Sequence, residues 1–148
     1  MPDQPAAGSS RSAGVLKPLV WLLLGLSVVL VIVAVVLPPE VLSWLRSDFR
    51  LFGQPLNWLE MTSPRVDLTH VILFGWIGFL SSCLWRRSHW WRIALPLVGL
   101  AVATELLQYL VPGRTPRISD LYDDLLGVAI GVVSAIPLRW FARRKQAQ

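Results

Sequence analysis

The chain alternates long apolar stretches with short polar joints, a pattern that predicts helices crossing a bilayer. Residues 18–37 carry no charge after Lys17. At about 1.5 Å rise per residue, such a run covers a hydrocarbon layer of roughly 30 Å. Pro38-Pro39 ends it, since proline has no N–H to continue the helical ladder. A cleaved signal peptide is the rival reading, but the run is long and lacks a small-x-small cleavage site. Apolar runs at 66–85, 90–111 and 120–140 predict further spans. A basic joint of Arg86, Arg87, His89 and Arg92 separates the second span from the third. Pro112-Gly113 predicts the turn before the fourth, which Ser119 or Asp120 is placed to cap.

Residues 40–65 form the longest non-spanning segment. Val41, Leu42, Leu45, Phe49 and Phe52 fall at helical spacing, with Glu40, Arg46, Asp48 and Arg50 elsewhere. That pattern predicts a short amphipathic helix lying in the membrane interface, with Trp44 and Trp58 at headgroup level. An irregular loop dipping into the interface is the alternative. The expected fold is therefore all-α: an integral membrane four-helix bundle with a short interfacial helix between spans one and two. Residues 1–17, rich in Pro, Ala, Ser and Gly, are expected to be a disordered cytoplasmic tail. Residues 18–141 form the membrane domain, and 142–148 a basic cytoplasmic tail.

Composition supports this reading. The chain has 148 residues, 54% hydrophobic and 16% charged, with less charge than a soluble domain of that size carries. A net charge of +5 does not point to nucleic acid, because the cations sit in joints and tails between apolar segments. Cys83 has no second cysteine to pair with, so an intrachain disulfide and a zinc cluster of cysteines are both excluded.

Charge also sets an expected orientation. Arg11, Lys17, Arg86, Arg87, Arg92, Arg139, Arg143, Arg144 and Lys145 fall on one side of four spans. Arg46, Arg50, Arg65, Arg114 and Arg117 fall on the other. The larger group places both termini in the cytoplasm by the positive-inside rule.

The unusual polar residues gather on the opposite, outer side. Asp67 and His70 open span two, Glu105 and Gln108 lie near the end of span three, and Asp120, Asp123 and Asp124 open span four. Arg114 and Arg117 lie in the turn between the last two. Helical rise puts His70 about 5 Å inside Asp67, Asp124 about 6 Å inside Asp120, and Glu105 about 9 Å from Val111. Ionisable groups at such depth cost several kcal/mol unless paired or wetted. At about 100° per residue, Asp120, Asp124, Gly127 and Gly131 share an arc of roughly 60°, whereas Asp123 points away toward the headgroups. Gly127 and Gly131 make a GxxxG pattern that admits another helix. Taken singly, each polar residue has a bland reading: Asp67 and Asp120 as helix caps, His70 as an interfacial side chain, the arginines as a headgroup-facing loop. A shared polar site explains them together.

At these residues the chain resembles the VanZ-like family of small bacterial membrane proteins. Asp67-Leu-Thr-His70, Glu105-Leu-Leu-Gln108, Pro112-Gly-Arg114 and Asp120-Leu-Tyr-Asp-Asp124-Leu-Leu-Gly127, with Gly131 last, follow its ordered pattern. Two positions depart from it: Asp124 stands where the family has Asn, and Val71 where Phe is common. The resemblance implies a protein of the bacterial inner membrane with a cell-envelope role. The namesake of the family is linked to reduced susceptibility to the glycopeptide teicoplanin.

These residues support three readings of function. In the first, an envelope protein binds or acts on an outer-leaflet lipid-linked phosphate or glycan. Asp67, Gln108, Arg114, Arg117 and Asp124 would bind, with the arginines holding phosphate, while His70, Glu105 and Asp120 would donate, accept or orient protons. In the second, His70, Glu105, Asp120 and Asp124 hold a divalent metal, although no compact ligand motif is present. In the third, the protein is a non-catalytic assembly or transport-accessory protein whose polar cluster is structural, with Gly127 and Gly131 serving a second copy or a membrane partner. No cofactor is expected. Ser81 and Ser82 lie toward the inner half of span two, away from the acids.

Overall fold

The computed structural model describes residues 9–63, 65–85 and 88–144. Among them every element is a helix: α1 (Ser9–Val36), α2 (Pro39–Asp48), α3 (Arg50–Thr62), α4 (Leu68–Leu84), α5 (Trp90–Tyr109), α6 (Ile118–Ser134) and α7 (Ile136–Arg144). α1 begins inside the segment expected to be a tail, of which residues 1–8 lie outside the described residues. In the segment expected to hold one interfacial helix there are two. They meet at Phe49, whose φ of −103° and ψ of 87° break the helical path between α2 and α3.

Among the described residues, three helical stretches are long and apolar enough to cross a membrane: Lys17–Val36, Trp90–Tyr109 and Ile118–Phe141. The last is divided at Ala135 into α6 and α7. Pro137 causes the break, because it has no N–H to bond the carbonyl of Val133. α4 is equally apolar but has 17 residues, about 26 Å of helix. It is the most enclosed of the four, with Phe74, Ile77, Gly78, Leu80, Ser81 and Ser82 buried.

The core comes from all four long helices: Leu24, Val31 and Val35 of α1, Phe74, Ile77 and Leu80 of α4, Ile93, Leu97 and Ala101 of α5, and Val128 of α6. The outer surface is also apolar. Leu22, Leu26, Leu30, Leu95, Leu106 and Val133 are exposed, a surface that fits acyl chains better than water.

α4 and α6 run parallel in close contact, and glycine makes the contact close. A methyl group on Gly131 would run into the Gly75 carbonyl, and one on Gly127 into the Val71 carbonyl. From the other side, a Cβ on Gly78 would lie 3.0 Å from the Val128 carbonyl, and one on Gly75 3.3 Å from that of Gly127. The helices therefore meet backbone to backbone, as small residues allow in a bilayer. The GxxxG face of α6 is filled by α4 of the same chain.

Candidate functional site

The polar site is built outward from this glycine contact. The chain enters α4 through Asp67, whose Oδ1 accepts the backbone N–H groups of Thr69 at 2.9 Å and His70 at 3.4 Å. Those donors have no partner within the helix, so the carboxylate caps its first turn. His70 follows one turn into α4. The register set by Gly75, Gly127 and Gly131 brings Asp124 of α6 opposite it, and His70 Nδ1 lies 2.8 Å from Asp124 Oδ1. With Asp124 ionised, a carboxylate can only accept, so the imidazole proton sits on Nδ1. Asp124 is 0% exposed, and its Oδ2 is buried without a hydrogen-bond partner. On the other ring edge, Nε2 is 4.0 Å from Asp67 Oδ2. The imidazole thus bonds the Asp124 carboxylate, and pairs with that of Asp67 as well when Nε2 is also protonated.

Asp123 corrects the sequence expectation. It does not turn to the headgroups. It is buried, and its Oδ2 accepts the backbone N–H of Asp67 at 2.7 Å. The expected arc on α6 was too narrow. Helices packed at glycine distance expose a wider arc to each other, and about 100° of α6 takes in Asp120, Asp123, Asp124, Gly127 and Gly131. The i, i+4 spacing of Asp123 and Gly127 carried that signal in the sequence.

The expected cap of the fourth span is also corrected. α6 starts at Ile118, with Arg117 in the cap position and no side-chain cap from its own residues. Ser119 Oγ instead donates to Asp120 Oδ1 at 3.0 Å. Asp120 lies in the first turn, where the helix N-terminus favours a carboxylate. The missing cap comes from α5: Glu105 Oε2 accepts the backbone N–H of Arg117 at 3.2 Å. Glu105 Oε1 is buried without a partner. Gln108, one turn further along α5, is buried.

The two arginines of the turn part company. Arg114 reaches α1, where its Nη2 donates to the carbonyls of Ala34 at 3.0 Å and Leu37 at 3.5 Å. Carbonyls at a helix C-terminus lack partners within the helix, so Arg114 caps α1. Arg117 stays exposed and joins Ser63, Arg65, Val66, Asp67, Ser119, Asp120 and Asp123 around a cleft of about 330 Å³. Arg65 was missed as a site residue. It stands two residues before Asp67, at the mouth of the Asp-x-x-His entry, where its charge alone marks only orientation.

The structure therefore gathers Asp67, His70, Asp120, Asp123 and Asp124 from α4 and α6, with Glu105 joined to them through the Arg117 backbone. Among the described residues no group of three or more His, Cys, Asp or Glu is arranged to hold a metal ion. Ser81 and Ser82 are buried further along α4.

No curated protein and no solved structure matches the chain. A family profile described as VanZ/LLP1 matches residues 20–141, which includes α2 to α6 and every residue of the polar site. By that match, the chain belongs to the VanZ/LLP1 family.

Proposed function

We propose that this protein is a cell-envelope protein of the inner membrane, with both termini in the cytoplasm, whose outer cleft binds the polar head of a lipid-linked phosphate or glycan. The observation that carries the proposal is the mixed lining of the cleft. Arg65 and Arg117 offer planar N–H donors suited to phosphate oxygens, while Asp67, Asp120 and Asp123 offer acceptors suited to sugar hydroxyls. The His70–Asp124 pair acts on the cleft indirectly, through Asp67 of its lining, whose Oδ2 lies 4.0 Å from His70 Nε2. An effect on glycopeptide susceptibility follows if the bound molecule is a cell-wall precursor.

The test uses purified protein and a polyprenyl phosphate probe. Replacing Arg65 and Arg117 together with Gln weakens probe binding about tenfold or more, as loss of two charge-assisted contacts requires, without lowering the melting temperature. Unchanged binding in that variant would rule out the cleft as the phosphate site.

A second reading has its own observation. The His70–Asp124 contact, the Asp123–Asp67 cap and the Glu105–Arg117 cap each join two different segments. That is also what a structural lock in an assembly or transport-accessory protein requires. Under this reading Glu105→Ala, which removes the acceptor of the Arg117 N–H, lowers the amount of protein in the membrane, and Arg65→Gln/Arg117→Gln keeps the envelope phenotype. Under the binding reading, the arginine double variant accumulates normally and loses that phenotype.

A further inference from the structure

The end of the molecule opposite the cleft carries a second feature, built by contacts between elements distant in sequence. Trp21 of α1 meets Trp85 at the end of α4 edge to face, with ring centroids 5.1 Å apart. Arg139 of α7 donates from Nη2 to the carbonyl of Ser88, in the joint between α4 and α5, at 2.7 Å. Four residues later Arg92 stands exposed in the first turn of α5. The α4–α5 joint and the C-terminal helix thus form one surface.

That surface is cationic without counter-charge from its own segments. The sequence has no acid between Asp67 and Glu105, and none after Asp124. Two of its guanidinium groups rest against indoles: Arg144 Cζ lies 3.7 Å from the Trp140 ring centroid, and Arg92 Cζ 5.2 Å from that of Trp91. Stacking holds a guanidinium plane while leaving its N–H edge free, and that edge matches two oxygens of a phosphate. Exposed Trp85 and Trp90 lie along the same rim, the residue type that settles at headgroup level.

We propose that this end binds the phosphodiester of an anionic phospholipid in the adjoining leaflet. Arg92 and Arg144 each offer a guanidinium edge to such a phosphate, and Arg139 is the positioning residue that holds α7 against the joint. Charge selects the lipid. A zwitterionic headgroup brings its own cation against Arg92, Arg139 and Arg144, whereas an anionic headgroup does not.

The experiment is thermal unfolding of the full-length protein in nonionic detergent, with phosphatidylglycerol or phosphatidylcholine added. Phosphatidylglycerol raises the midpoint by about 5 °C, as a ligand well above its dissociation constant does for a chain of this size, and phosphatidylcholine leaves it in place. The exposed double variant Arg92→Gln/Arg144→Gln melts like the parent without lipid and loses most of that rise. Native mass spectrometry of the unmodified protein supplies a readout independent of the variant's folding: retained phosphatidylglycerol with phosphatidylcholine absent. Equal effects of the two lipids, the same rise with inorganic phosphate alone, or a double variant that keeps the rise would each overturn the proposal.

Discussion

Asp123 and Asp67 cap the same helix in series: Asp67 holds the first turn of α4 through Thr69 and His70, and Asp123 holds the backbone N–H of Asp67. The start of α4 is therefore fixed by α6, and the position of His70 depends on both acids.

Asp123→Ala leaves the Asp67 N–H without its acceptor and should destabilise the protein by about 1–2 kcal/mol. Asp123→Asn retains an oxygen acceptor and costs less. Urea or thermal unfolding in detergent reads the difference. An alanine variant as stable as the parent would show that the cap contributes nothing.

The His70–Asp124 contact is suited to a double-mutant cycle. His70→Ala strands a fully buried carboxylate and should cost about 3–5 kcal/mol. Asp124→Asn should stay much closer to the parent, because the amide oxygen still accepts from Nδ1–H and no charge is buried. It also restores the residue of the resembled pattern at this position. The cycle should return a coupling of about 0.5–3 kcal/mol, and additivity of the two changes would show that the side chains do not act together.

Glycine positions give a contrast within one chain. Gly131→Ala forces a methyl group into the Gly75 carbonyl, and overpacking of that kind costs about 1–3 kcal/mol. Gly99 on α5 has nothing within 4 Å of the same added atom, so Gly99→Ala should be neutral or stabilising by up to about 1 kcal/mol. Matched unfolding curves for the two variants would contradict the close α4–α6 contact.

Arg114→Ala removes the donor that reaches Ala34 and Leu37. The loss should be about 1.5–3 kcal/mol, the range for a hydrogen bond to a charged group, and it should be local. Hydrogen exchange is expected to quicken at the α1–α2 junction while the α4–α6 contact keeps its protection. Uniform quickening across the chain would mean that Arg114 supports the whole bundle.

The sequence revealed the elements whose signals are periodic. Apolar runs gave the membrane-length parts of α1 and α5, Pro38-Pro39 gave the end of α1, and the Asp120–Asp124–Gly127–Gly131 face anticipated the side of α6 that meets α4. What it hid were consequences of close approach and of aim. The inward turn of Asp123 depends on how near α4 comes, which the spacing on α6 alone does not encode. Arg114 and Arg117 look alike in the turn, yet one side chain meets open carbonyls at the end of α1 and the other a cleft. The break at Ala135 was legible from Pro137 but was masked by the apolar run through it.

The separation of His70 from Asp124, 54 residues, also bears on how the protein is made. At roughly 5–20 residues per second, a ribosome needs on the order of several seconds to deliver the second partner after the first. Through that interval the imidazole waits in a half-built assembly, and chains stalled before α6 never supply its carboxylate. Chains truncated before α6 should therefore be degraded faster than the full-length protein, which a pulse-chase measurement would show.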